Sequence, residues 1–126
     1  MDQKRDVIIV VAVAMLCSLS LAFAAETMAS YTHSPYVPSA CFGFINKGTL
    51  IAGFGNSMWN SELCGQQLKV TCIDDQNPQQ YCKSSSVIVT LVDHCDECPD
   101  SITLSEEAFD VIAKKEAGNV KVKYEQ

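Results

Sequence analysis

The stretch that decides the fold is SVIVTLVDHCDECPDSITLSEEAFDVIAKKEAGNVKVKYEQ, residues 86–126. It opens with the apolar, β-branched run Ser86–Val92, which predicts a central strand buried on both faces. A turn with two cysteines follows, and after it comes a segment with helical periodicity. The alternating segment Asn119–Tyr124 predicts a closing strand. The stretch therefore predicts a strand, a turn, a helix and a second strand.

The helix is predicted to begin at Ser105, whose side chain can accept a hydrogen bond from a free backbone N–H of the first turn. Leu104 before this cap and Phe109 after it match a hydrophobic staple. Gly118 is predicted to end the helix. The predicted buried stripe comprises Ala108, Phe109, Ile112 and Ala113.

Upstream of this stretch the sequence predicts short strands. Thr49–Phe54 and Gln67–Ile73 have β character, and Asn56–Gly65 between them is a predicted loop that holds the single tryptophan. Glu26–Ala40 is predicted to form an arm with a short edge strand. Five to six short strands with one late helix predict a small, closed, mainly β barrel.

The first residues have the pattern of a secretory signal peptide. Lys4 and Arg5 precede an apolar run, and small residues at Ala22 and Ala24 suit cleavage after Ala24 or Ala25. A membrane anchor is the alternative, but the run is short and has no basic flank after it. We therefore expect a signal peptide at 1–24 and one soluble domain at 25–126.

The cysteine count predicts disulfides. The chain has seven cysteines, and Cys17 falls in the predicted signal peptide. Six cysteines in a short secreted domain predict three disulfides, for which about 15 pairings are possible. Each closed loop contributes about 2–4 kcal/mol of stability. The six are Cys41, Cys64, Cys72, Cys82, Cys95 and Cys98.

The formal net charge of −6 excludes some partners. Phosphate groups are bound by clustered cations, so an acidic chain disfavours nucleic acid and anionic lipid. We expect no nucleic acid, no membrane insertion and no cofactor, and a monomer.

Six segments in order resemble a known family: PSACFGF (38–44), IAGFGNSMWN (51–60), LCGQQLKVTC (63–72), SVIVTLVDHC (86–95), LSEEAFDVIA (104–113) and AGNVKVKY (117–124). They are similar to the plant natriuretic peptide and family-45-endoglucanase-like group, which is related to barwin and to the first domain of expansins. The resemblance implies a six-stranded double-psi β-barrel with one or two short helices. It also implies the pairs Cys41–Cys64 and Cys72–Cys82, which leaves Cys95 with Cys98.

The resemblance also argues against catalysis. Inverting glycoside hydrolysis requires two carboxylates, one as general acid and one as general base. In the related hydrolases and expansins one acid lies just before the helix, where this chain has Thr103. Asp93 matches a groove acid of some expansins, and the early segment supplies no second acid. We therefore expect no enzyme activity and no catalytic residue.

The acidic residues that follow the predicted strand Ser86–Val92 have two interpretations. Asp96, Glu97 and Asp100 form a solvated acidic turn in the favoured one. A weak cation site is the alternative, although the spacing is not that of a calcium loop.

The Cys95-x-x-Cys98 pair follows His94, and this arrangement is compatible with three roles. A redox motif would need the helix to start at the cysteines, and a zinc site would need further ligands. A structural disulfide without metal is the favoured role. His94 is then a polar residue at a strand end.

Aromatic residues offer a possible carbohydrate surface. Trp59, Tyr36 and Phe42 could stack on sugar rings if they line one groove. In the favoured alternative, Trp59 covers one end of the barrel. The predicted interaction surface comprises Asn56, Trp59 and Asp93.

The function implied by the resemblance is that of a secreted, non-enzymatic natriuretic-peptide-like protein. It would act in the apoplast on ion and water homeostasis, through a plasma-membrane receptor and cyclic GMP. The segment Cys41–Cys64 corresponds to the active region of those proteins. The alternatives are a protein that binds cell-wall polysaccharide and a barwin-like defence protein. An acidic chain argues against the RNA-directed form of the latter.

Overall fold

Six strands form in the part of the chain that the structure describes, and apolar and polar side chains alternate most clearly in Gln67–Cys72 and Asn119–Glu125. The computed structural model describes residues 24–73, 80–98 and 100–126, and the predicted signal peptide at 1–24 lies outside them except for Ala24. One helix, α1, spans Glu106–Ile112. The strands are β1 (Ala24–Thr32), β2 (Ile51–Gly55), β3 (Gln67–Cys72), β4 (Val87–Cys95), β5 (Ser101–Ser105) and β6 (Asn119–Glu125).

The strands close into one barrel in the order β1-β5-β2-β4-β3-β6. Two neighbouring pairs are parallel, β1 with β5 and β2 with β4. The other four pairs are antiparallel. The predicted mainly β barrel of six strands is therefore confirmed.

The first strand differs from the sequence prediction. β1 has nine residues and is not a short edge strand, because Met28–Thr32 pair with β5 on one side and Ala24–Ser30 pair with β6 on the other. Closure of the barrel leaves no edge for it to occupy. Only the segment after Thr32 forms an arm, and this arm crosses the outside of the barrel.

The fourth strand also differs from its prediction. Val87, Val89 and Leu91 are buried, whereas Ile88 is 50% exposed. β4 is central, between β2 and β3, but it is not buried on both faces. Side chains of a barrel strand alternate between the interior and the outer surface, and no layer covers Ile88.

The helix begins as predicted and ends earlier. The Ser105 side chain accepts a hydrogen bond from the Ala108 N–H at 3.1 Å. The predicted stripe, including Phe109, is fully buried. The helix stops at Ile112 because the chain then pairs with residues 81–83: Lys83 N–H donates to the Ile112 carbonyl at 2.7 Å. Gly118 instead follows a short 3-10 helix at Lys115–Ala117.

Three disulfides staple the barrel. They join Cys41 to Cys64, Cys72 to Cys82, and Cys95 to Cys98, which are the pairs that the resemblance implies. Across the residues that the structure describes, no helix is both long enough and apolar enough to span a membrane.

Candidate functional site

Three strands place Asp93, Gly53 and Thr103 in one row on the outer surface of the barrel. Gly53 pairs with Asp93 across β2 and β4, and with Thr103 across β2 and β5. Neighbouring strands lie about 4.8 Å apart, so the backbones of Asp93 and Thr103 are about 10 Å apart. Gly53 between them has no side chain and forms the floor of a groove.

The groove has a volume of about 320 Å³. The arm after β1 forms one wall, and the start of α1 lies beyond it. The register shifts between the pairs Ala52–Leu91 and Gly53–Asp93, so that Val92 is an extra residue in β4 beside the floor, as in the β-bulges found next to binding sites. The lining residues are Thr32, Pro35, Tyr36, Pro38, Ile51, Ala52, Gly53, Val92, Asp93, His94, Cys95, Thr103 and Ser105.

Asp93 holds the first disulfide segment in place. Its Oδ1 accepts a hydrogen bond from the Ala40 N–H at 2.9 Å. The next residue, Cys41, donates its N–H to the Val92 carbonyl at 2.9 Å. Both contacts attach the segment that precedes the Cys41–Cys64 disulfide to the end of β4. The carboxylate therefore already serves as a structural acceptor.

The Tyr36 hydroxyl connects the arm to the start of α1. It donates to Glu107 Oε2 at 2.7 Å and accepts from the Glu106 N–H at 3.2 Å. Burial raises the pKa of Tyr36, and the hydrogen bond to the Glu107 carboxylate raises it further. Tyr36 consequently stays neutral at physiological pH and presents its ring to the groove.

The groove does not contain the acid pair of an inverting hydrolase. Among the described residues that line it, Asp93 is the one carboxylate, and Thr103 stands on the other side of Gly53. A threonine hydroxyl keeps its proton at neutral pH and cannot replace a general acid. The arrangement can bind polar groups in a cleft, but it lacks the second carboxylate that hydrolysis by inversion requires.

His94 connects two of the predicted interaction residues. Its Nε2 lies 3.0 Å from Asn56 Oδ1, and its Nδ1 lies 3.1 Å from Asp96 Oδ1. Its ring stacks on Trp59 with centroids 4.8 Å apart and planes 4° apart. The sequence predicts His94 only as a polar residue at a strand end. The one signal for a further role is its position next to the Cys95-x-x-Cys98 turn.

The three aromatic residues that could have lined one groove, Trp59, Tyr36 and Phe42, do not share it. Tyr36 lines the groove, whereas Trp59 and Phe42 do not. Trp59 packs on His94, and the Phe42 ring carries the Lys47 ammonium 4.4 Å from its centroid. Trp59 is half-buried and lies near the end of β4, and its favoured role as the cover of a barrel end stays a prediction. Asp93 lies in the groove, apart from the Asn56–Trp59 pair.

The cysteine-bearing turn is fixed to the loop after β2. The Asn56 N–H donates to the Cys98 carbonyl at 2.7 Å. The helix starts at Glu106, so the cysteines lack the helix N-terminus of a redox motif, and both sulfurs are in the disulfide. Within 24–73, 80–98 and 100–126, no three His, Cys, Asp or Glu residues cluster closely enough to hold a metal ion.

A second polar cluster joins the arm to the end of the helical region. Glu106 pairs with Lys115 Nζ at 2.9 Å and with His33 Nδ1 at 2.8 Å. The hydrogen bond from Lys115, with a further one from His33, lowers the pKa of Glu106. The same contact with Glu106 raises the pKa of Lys115. This cluster tethers the arm outside the groove.

The loop between Cys41 and β2 exposes large apolar side chains. Phe44 is 80% exposed and Ile45 is 62% exposed, and Leu50 is also exposed. The disulfide to Cys64 and the contacts of Asp93 and Val92 fix the base of this loop. Exposed groups of apolar side chains are uncommon on monomeric proteins and often mark interaction sites.

The chain is similar to a known protein family and to individual plant proteins. A double-psi β-barrel family described as lytic transglycolase matches residues 51–124. An EG45-like domain containing protein from Citrus jambhiri is 36% identical over 130 residues, covering 100% of this chain and 99% of the relative. EG45-like domain containing protein 2 from Arabidopsis thaliana is 40% identical over 107 residues, with 82% of each chain covered.

Solved structures share the barrel. A mutant expansin of Clavibacter michiganensis in complex with cellohexaose matches with a TM-score of 0.65 and 19% identity, covering 81% of this chain. This chain spans 49% of that expansin. The Streptomyces papain inhibitor matches with a TM-score of 0.63 and 18% identity, with 82% of this chain and 93% of the inhibitor covered. These likenesses establish the double-psi β-barrel fold.

Proposed function

Because this chain belongs to the EG45-like family of double-psi β-barrel proteins, we propose that it is a secreted, non-enzymatic protein that acts on water and ion homeostasis from outside the plant cell. In this proposal it binds a plasma-membrane receptor and raises cyclic GMP. The family resemblance motivates the proposed response, and the exposed apolar loop at Phe44 and Ile45 supports the proposed mode of action.

The observation that carries the proposal is the exposed apolar loop in the segment Cys41–Cys64. Phe44 and Ile45 stand in solvent, although the base of their loop is pinned by a disulfide. A loop pinned at its base loses less conformational entropy on binding than a free one, which favours affinity. Large apolar side chains in such a loop suit the desolvated centre of a protein–protein interface.

The groove supports the non-enzymatic part of the proposal. Its one carboxylate, Asp93, accepts a backbone hydrogen bond, and its opposite side carries Thr103. A receptor ligand needs a stable surface and no reacting groups, so this arrangement agrees with signalling. It disagrees with hydrolysis of a polysaccharide.

The test is the volume of plant protoplasts after addition of oxidised residues 25–126, with cyclic GMP measured in parallel. Protoplasts have no wall, so a response cannot arise from wall binding. We expect swelling and a rise in cyclic GMP, both absent with a reduced and alkylated sample. The double variant Phe44→Ser/Ile45→Ser should lose most of the effect.

The matched control is Ile88→Ser, which removes an apolar side chain of similar exposure from β4. It should keep the full response. Equal potency of the loop variant and the wild type would move the receptor surface elsewhere. No response at any dose of folded protein would refute the signalling proposal.

A second proposed function is binding of cell-wall polysaccharide in the groove. The observation that favours it is the groove itself, which combines the Tyr36 ring with the polar pair Asp93 and Thr103 along one floor. An expansin with the same barrel was solved with cellohexaose. Retention on cellulose or xylan that Tyr36→Ala abolishes would support this function, and no retention on any wall polymer would remove it.

A further inference from the structure

His94 is held between two hydrogen-bond acceptors. Its Nδ1 faces the Asp96 carboxylate at 3.1 Å, and its Nε2 faces the Asn56 amide oxygen at 3.0 Å. A carboxylate accepts hydrogen bonds and cannot donate, and only the protonated imidazole ring carries an N–H on both nitrogens. With the acceptors placed in this way, both ring nitrogens can donate at the same time only in the imidazolium form.

The stack on Trp59 favours the same protonation state. The two rings are parallel within 4° and 4.8 Å apart, which is within the range of a cation–π interaction. In the neutral form of the ring, the cation–π attraction to Trp59 is lost. The contact with Asp96 is then no longer one between opposite charges. The Asn56 amide would also have to rotate to offer its NH₂ group instead of its oxygen.

The surrounding elements supply negative charge only. The loop that carries Asn56 and Trp59 has no charged residue between them. The turn after β4 contributes Asp96, with Glu97 next to it, and β4 contributes Asp93 on the groove side of the strand. In the part of the chain that the structure describes, no lysine contacts His94.

We propose that protonation of His94 locks the loop Asn56–Trp59 onto the end of β4, and that deprotonation releases it. Histidine is the side chain that changes charge between about pH 5 and 8. The loop lies within the Cys41–Cys64 segment, so the use of this switch to control partner binding rests on the proposed function. The switch itself is a property of the barrel and needs no partner.

The chain is well suited to a direct test, because Trp59 is its single tryptophan and His33 is its second histidine. An imidazolium in contact with an indole ring quenches its fluorescence. We expect the Trp59 emission of residues 25–126 to decrease as the pH is lowered, with one midpoint between about pH 5 and 8. Acrylamide should quench Trp59 more strongly at pH 8 than at pH 5, since release exposes the ring.

His94→Gln should abolish both pH dependences, whereas His33→Gln should retain both, because His33 pairs with Glu106 far from the tryptophan loop. Asn56→Ala keeps the histidine and the tryptophan but removes one acceptor. It should raise acrylamide quenching at pH 5, and it gives a second readout if His94→Gln unfolds the protein.

A titration of Trp59 emission that persists in folded His94→Gln would overturn the proposal. Acrylamide quenching that is equal at pH 5 and pH 8 in the wild type would overturn it as well. Neither result would affect the receptor proposal. Conversely, an intact fluorescence titration together with inert protein in the protoplast assay would refute the receptor proposal alone.

Discussion

A Cβ atom placed on Gly53 would stand 3.2 Å from the carbonyl oxygen of Asp93. The same atom would lie 3.3 Å from the Asp93 Cβ. The two residues are partners across β2 and β4, just after the register shift at which Val92 of β4 has no partner in β2. A side chain at position 53 would therefore crowd Asp93, which explains why a glycine forms the floor of the groove. Without such a side chain, the Asp93 carboxylate is free to accept the hydrogen bond from Ala40 in the arm.

Gly53→Ala should destabilise the protein by about 1–3 kcal/mol, because strand backbone must move to accept the methyl group. Guanidinium denaturation of the variant and the wild type measures the difference. The nearest atoms belong to the Asp93 backbone, which is paired with Gly53, so the methyl group presses on the pairing of β2 with β4. Unchanged stability would mean that the strands separate at this point without cost.

Asp93→Ala should lower stability by about 1 kcal/mol, because it removes a charge-assisted acceptor for the Ala40 N–H near the surface. Asp93→Asn retains an acceptor oxygen and is the matched control, with a smaller loss. Urea denaturation compares the two. If both variants lose the same amount, the charge and not the hydrogen bond holds the arm.

Ser105→Ala should cost about 1–3 kcal/mol, more than an average helix cap. The Ser105 hydroxyl is buried, accepts from the Ala108 N–H, and donates to the Thr49 carbonyl. The control is Asn60→Ala, which removes an exposed cap whose Oδ1 accepts from the Glu62 N–H at 3.0 Å. In thermal unfolding, the melting temperature of Ser105→Ala should be well below that of Asn60→Ala. The reverse order would contradict the role given to the buried hydroxyl.

Glu106 and Lys115 should stabilise the protein in a defined pH window. The folded pKa of Glu106 is lowered, so its contribution is present above about pH 4.5 and is lost as pH falls through the folded value. The folded pKa of Lys115 is raised, so its contribution is present below about pH 10.5 and is lost as pH rises through the folded value.

Glu106→Gln should therefore reduce the melting temperature slightly at neutral pH and progressively less towards pH 3. Lys115 is exposed and Glu106 is half-buried at the surface, so the difference should also shrink in high salt. Melting curves at several pH values and two salt concentrations provide the measurement. A difference that grows at acid pH would contradict the sign of the Glu106 shift.

The double variant Cys41→Ser/Cys64→Ser should lose about 3 kcal/mol of stability, since the disulfide closes a loop with a sequence separation of 23. Cys72→Ser/Cys82→Ser opens a loop with a separation of 10 and should lose less. Urea denaturation under non-reducing conditions compares them. A larger loss from the shorter loop would mean that native contacts, and not chain entropy, dominate.

Local signals in the sequence were sufficient for much of the fold. The cap at Ser105 and the buried stripe around Phe109 depend on residues within one or two turns, and both predictions are confirmed. The end of the helix could not be predicted in the same way. It depends on pairing with residues 81–83, about 30 positions earlier, which competes with the intrinsic preference for Gly118 as a cap.

The candidate site was only partly predictable for the same reason. Asp93 and Trp59 were identified by type and by family resemblance, but the sequence could not show that one lies in the groove and the other outside it. The exposure of Ile88 could not be predicted either, because a β-branched run does not reveal which face of a strand remains uncovered.

Composition and periodicity alone determined a small, acidic, disulfide-rich β-barrel with one capped helix, since these features arise from short-range preferences and from the cysteine count. Only the tertiary structure decided that Asp93, Gly53 and Thr103 form one row, and that His94 stands between Asn56, Asp96 and Trp59. The physical reason is register: closing six strands aligns residues far apart in sequence, and a shift of one residue would turn each side chain to the opposite face.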